Sequence, residues 1–209
     1  MHVSRILIDI HLDNLREFID TVHWHLQQDK VEFKKEIATR AKALTPSQRD
    51  ELYDFYHDDY WLLNEEFPNI LWNSVLISTY SVVDFELSRL CQSLQKKHSA
   101  TKALKDRRKG SLLKKIEQYL TVDLGLSFPS GSSDWKELNS IALLRNCIVH
   151  NGSQIKGKKV KELRRYVRSK PPTLSIDQLD RVMLTEQYCR DSMKIVTRFT
   201  RDLFENHLK

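Results

Sequence analysis

Glycine and proline are scarce in this chain, with five of each in 209 residues. Folds made of many tight turns draw on both, so their scarcity argues against short strands joined by hairpins and for long helices. Cysteine is scarcer still. Cys91, Cys147 and Cys189 are odd in number, far apart, and include no Cys-x-x-Cys pair. The sequence therefore offers neither a disulfide framework nor a zinc ligand set, and each thiol reads as a small apolar filler. Long apolar runs are missing as well. No window approaches the roughly 18 apolar residues of a membrane span. The opening Met1-His2-Val3-Ser4-Arg5 leads into a stretch broken by Asp9, His11 and Asp13, unlike a signal peptide. A cytoplasmic protein without membrane contact is expected.

What is present is a charged, globular composition: 40% hydrophobic and 30% charged residues, enough to bury a core. The net charge of +6 is unevenly spread. Residues 1–66 hold 8 Lys/Arg and 14 Asp/Glu, a balance of −6, which leaves +12 for residues 67–209. A basic surface attracts phosphate backbones without reading sequence.

Apolar residues recur at helical spacing from Asn14 to Leu44, and Thr45-Pro46-Ser47-Gln48 reads as a capping box opening a second helix. The longest clean pattern runs from Pro68 to His98, wide enough for a central buried helix. Residues 96–109 are basic, and Leu112 to Leu120 give a short helix. The loop 127–133 precedes a helix that Asp134 and Glu137 are expected to cap and Gly152 to close. Residues 156–170 carry eight Lys/Arg and one Glu, and Pro171-Pro172 stops that segment. A last helix is expected from Asp177 or Thr185 to Leu208. No stretch makes a convincing strand; Arg5–Ile10 reads equally well as strand or helix. The expected fold is an all-α helical bundle. An acidic N-terminal helical region, 1–66, packs on a core of 67–209, the two forming one continuous globular unit.

The informative segment is Leu143-Leu144-Arg145-Asn146-Cys147-Ile148-Val149-His150-Asn151-Gly152. Arg followed by His after four to six residues occurs four times in the chain, where 15 Arg and 8 His predict about 1.7 by chance. Requiring four intervening residues and an Asn beside the Arg lowers the expectation to about 0.02, and only Arg145 passes. This segment resembles the Arg-Asn-x-x-x-His signature of the HEPN superfamily, which lies near the end of a long helix in a small helical bundle. The earlier run Ser78-Thr79-Tyr80-Ser81-Val82-Val83-Asp84-Phe85-Glu86 is similar to the HEPN helix that carries an acidic residue, with Asp84 the nearest match. The resemblance covers roughly residues 68–208 and leaves the acidic helices outside it.

The resemblance implies a ribonuclease that needs no cofactor and leaves 2′,3′-cyclic phosphate and 5′-OH ends. RNA carries its own nucleophile, the 2′-OH. Histidine suits proton transfer near neutral pH, and arginine pairs with two phosphate oxygens. Asn146 and His150 are four apart and share a helix face. Arg145 and His150 stand about 140° apart on a regular helix, so either Arg145 reaches around or two copies of the helix build the site. The resemblance implies the second arrangement, a homodimer with motifs facing across a groove. His150 lies where the helix dipole favours the imidazolium, so its role as acid or base stays open.

The RNA backbone is expected to run over the two basic tracts, through Lys158, Lys159, Lys161, Arg164, Arg165 and Arg168 in one and Arg107 and Arg108 in the other. Tyr166 either stacks a base or packs its ring on the domain. His23, His25 and His57 read as solvated or core side chains. By analogy the setting is a growth-arresting toxin or antiphage effector held by an inhibitory partner protein. The acidic N-terminal part is a candidate internal brake. The competing readings are a HEPN-like dimerisation or nucleotide-binding module without chemistry, and nucleic-acid binding without cleavage.

Overall fold

The computed structural model describes residues 2–208, with side chains from Ser4 onward. It is all-α but for one small hairpin. Helix α1 spans His2–Ala41, α2 Pro46–Phe55 and α3 His57–Trp61. A wider π turn, Leu62–Glu66, leads into α4, Phe67–Lys97. Then come α5, Leu112–Gln118, α6, Ser133–Asn151, and α7, Val160–Arg168. Strands β1, Leu174–Ile176, and β2, Val182–Leu184, precede α8, Glu186–Asp202. Among the described residues no helix is long and apolar enough to cross a membrane.

Helix α4 is the central element. Leu71, Val75, Leu76, Val83, Leu87, Leu90 and Leu94 are buried, and α1, α5, α6 and α8 pack around them. The breadth of its apolar stripe is the reason: a helix apolar on most of its circumference needs neighbours on several sides. Pro68 lies in its first turn, where the missing N–H costs nothing.

Helix α1 starts at His2 rather than Asn14 because Ile8 and Leu12 extend its buried stripe by further turns; both are fully buried in the main core with Ile19. The first half of the acidic region is thus part of the bundle. Its second half carries α2, which the expected Thr45–Gln48 capping box opens.

Two local expectations change. Helix α6 is capped by Ser132, whose Oγ accepts from Trp135 N at 3.1 Å, not by Asp134. Asp134 instead holds Arg198, and Glu137 accepts from Tyr166 Oη and Lys170 Nζ. The second change is the antiparallel hairpin, with Leu174 opposite Leu184 and Ile176 opposite Val182. Three-residue strands are too short to show alternation. Consequently the last helix begins at Thr185, whose hydroxyl accepts from Tyr188 N.

Candidate active site on helix α6

Helix α6 closes as its sequence suggests. Gly152 takes the left-handed conformation (φ 59°, ψ 44°) and its N–H donates to Ile148 O at 3.1 Å. This places Arg145, Asn146 and His150 in the last two turns. Leu144, Cys147 and Ile148 are buried between them, fixing which way the motif residues point.

Arg145 turns toward α4. Its guanidinium lies over the Tyr80 ring, 5.7 Å from the centroid, and Nη1 donates to Asn146 Oδ1 at 3.1 Å. Asp84, one turn beyond Tyr80 on α4, shares this neighbourhood. Burial pushes its carboxyl up to about 6, against the lowering pull of the Tyr80 hydroxyl and of Arg145. Asp84 Oδ1 and Arg145 Nε are both shut off from solvent and without a hydrogen-bond partner among the described residues. Orphaned polar atoms are costly, and two so close together mark a place where polar contacts remain to be made.

Asn146 and His150 are exposed and open elsewhere, into a cleft of about 580 Å³. Helix α6 contributes Asn139, Leu143, Asn146 and His150 along one stripe, the start of α5 brings Ser111 and Lys114, and the segment after Gly152 brings Lys156, Lys158, Lys159 and Glu162. Arg145 does not line it. Within one chain, therefore, the arginine and the histidine of the motif stand in different surroundings.

The expected RNA-binding residues divide. Lys158 and Lys159 line the cleft, with Lys159 held by Glu162 at 3.4 Å. Lys161, Arg165 and Arg168 are exposed on α7, and Arg108 is exposed beyond α4. Arg164 is tied to Asp180, and Arg107 to Asp123 at 2.6 Å and Gln118 at 3.2 Å, so these two hold the fold. Tyr166 is packed on the domain: its hydroxyl donates to Glu137 at 3.0 Å and meets Tyr188 Oη at 2.9 Å, and Lys170 Nζ lies over its ring, 5.6 Å from the centroid. All three cysteines are buried and free. Burial pushes the thiols of Cys91 and Cys189 up to about 12, which leaves them poor nucleophiles.

No ion pair among the described residues joins the acidic region to either basic tract. Its partners outside itself are Glu186, Arg190 and Glu205 in the α8 region, and Arg181 in the hairpin. The structure thus gives no support to an internal brake.

Sequence reasoning missed Tyr80, Asn139 and Lys114, and reached Lys156 only as part of the basic tract 156–170. Tyr80 was legible as the residue four before Asp84, and Asn139 as the residue seven before Asn146 on the same stripe. Lys114 had no such signal.

No family model, characterised protein or solved structure matches this chain. The functional reading therefore rests on the motif and its geometry.

Proposed function

We propose that the protein is an endoribonuclease resembling the HEPN type, working through the 2′-OH of RNA without a metal, as a homodimer whose active site combines Arg145 and His150 of two copies. The observation that carries this is the split motif. Arg145, always charged, is poised beside Asp84 with open hydrogen-bonding capacity, while His150 opens with Asn146 into a lysine-lined cleft. Attack of the 2′ oxygen on the adjacent phosphorus needs a proton taken from that oxygen and one given to the leaving 5′ oxygen. His150 supplies one of these transfers and solvent water the other, Arg145 steadies the charge on the phosphate, and Asn146 orients Arg145.

The second copy is supported by the outer face of α4. Every exposed residue from Phe67 to Ser88 is uncharged: Phe67, Ile70, Ser74, Ser78, Ser81 and Phe85. In a chain that is 30% charged, such a stripe is a helix face suited to close contact with its own copy. Small serines let two backbones approach, and Phe85, 62% exposed, is the natural anchor. The stripe borders Asp84 and so brings a partner to the Arg145 side.

The biological setting that goes with this reading is a growth-arresting or antiphage effector restrained by an inhibitory protein. The test is incubation of the purified protein with total tRNA and ribosomal RNA in EDTA. Cyclic phosphate ends from wild type, and none from His150→Ala or Arg145→Ala, are the expected outcome. A folded dimer that cleaves neither RNA would favour the non-catalytic interaction module.

A further inference from the structure

Most arginines of this molecule are matched among the described residues, whereas most lysines are not. Arg5, Arg16, Arg40, Arg107, Arg164, Arg181, Arg190 and Arg198 each hold a carboxylate. The cleft at His150 gathers several such lysines around one hollow. Lys114, Lys156 and Lys158 line it, and none of them has an acidic partner within ion-pair distance among the described residues. Lys156 Nζ touches only the neutral Gln154 Oε1, at 3.1 Å. The one carboxylate in the lining, Glu162, is engaged by Lys159.

Three ammonium groups facing one hollow repel one another, and the fold gains nothing visible by keeping them there. A phosphate-bearing ligand removes the repulsion and releases counterions. The lysines come from two elements, Lys114 from α5 and Lys156 and Lys158 from the segment ahead of α7, with the Asn146–His150 stripe of α6 in the same lining. A strand in this cleft would therefore meet cations from two elements beside the histidine.

We propose that Lys114 and Lys156 bind the phosphate that neighbours the reacting one on a single RNA strand, fixing the strand's register over His150. This rests on the ribonuclease reading for the identity of the ligand. It adds α5, which lies outside both basic tracts, to the binding surface.

The test is a binding measurement. Fluorescence anisotropy would follow a labelled, uncleavable 2′-O-methyl single-stranded RNA across a sodium chloride series. The variants are Lys114→Gln, Lys156→Gln and Lys114→Arg, with exposed Lys35→Gln on α1 as control. Each Gln variant is expected to weaken binding about fivefold at low salt and to flatten the slope of log K against log salt by about 0.7. Lys114→Arg keeps the slope, and Lys35→Gln changes neither quantity. Unchanged affinity and slope in Lys114→Gln and Lys156→Gln, equal weakening by Lys35→Gln, or no binding by wild type overturns the proposal. Wild-type binding that depends on Lys114 without any cleavage of natural RNA would instead leave this site standing and overturn the ribonuclease reading.

Discussion

Arg145 and His150 leave α6 on different sides: the arginine lies over Tyr80 of α4, and the histidine opens into the cleft that α5 and the start of α7 line. Five residues on a helix turn through about 140°, so this divergence is built into the spacing of the motif. On the proposed mechanism it is also what would make a second copy useful, because a phosphate bound beside the arginine of one chain would need a histidine from elsewhere.

The uncharged face of α4 predicts a specific failure. Phe85→Asp places a charge at the C-terminal end of that face without touching the core, since Phe85 is 62% exposed in the single chain. The variant should remain folded but dissociate more readily. An aromatic anchor is worth about 2 kcal/mol, so the dimer constant should weaken by about thirtyfold. Sedimentation velocity over a concentration series checks this, and an unchanged constant would remove α4 from the interface.

Asp84 predicts a pH effect. Burial raises its carboxyl from 3.8 to about 6. The folded state therefore favours the neutral acid. The stability from this source is fully present below the unfolded value and is lost as pH rises through the folded one. Asp84→Asn cannot ionise, so it should match wild type near about pH 4 and exceed it near about pH 8. The gain should be about 1 kcal/mol, because the side chain is only partly buried and solvent screens it. Urea unfolding at the two pH values measures it; a difference that does not change with pH would contradict the assignment.

Tyr166 predicts a loss of stability with no loss of RNA affinity. Tyr166→Phe removes the hydroxyl joined to Glu137 and Tyr188 and leaves their oxygens short of a partner. A cost of about 1–2 kcal/mol follows. Thermal unfolding should show it, while anisotropy with single-stranded RNA should be unchanged; weakened binding at full stability would restore the stacking role.

The fold was legible where its causes are local. The α4 stripe, the Thr45–Gln48 box and the Gly152 stop each depend on residues within a few positions, so periodicity and cap chemistry were enough. The α6 cap is not legible locally, because Ser132, Ser133 and Asp134 stand in a row and Asp134 is held by Arg198, 64 residues away. The same limit applies to the site. Arg145, Asn146 and His150 announce themselves by spacing, and Asp84 by its surroundings. Lys114 reaches the cleft only because α5 packs where it does, and Arg107 and Arg164 look available until Asp123 and Asp180 are seen beside them.

The most direct test of a site shared between two copies is complementation. Arg145→Ala and His150→Ala proteins, each inactive alone, would be mixed under conditions that exchange subunits, and RNA cleavage in EDTA followed. Half of the dimers formed should be mixed, each with one intact pairing of arginine and histidine, so about a quarter of wild-type activity should return. A mixture that forms heterodimers yet stays as inactive as its parents would contradict the shared site.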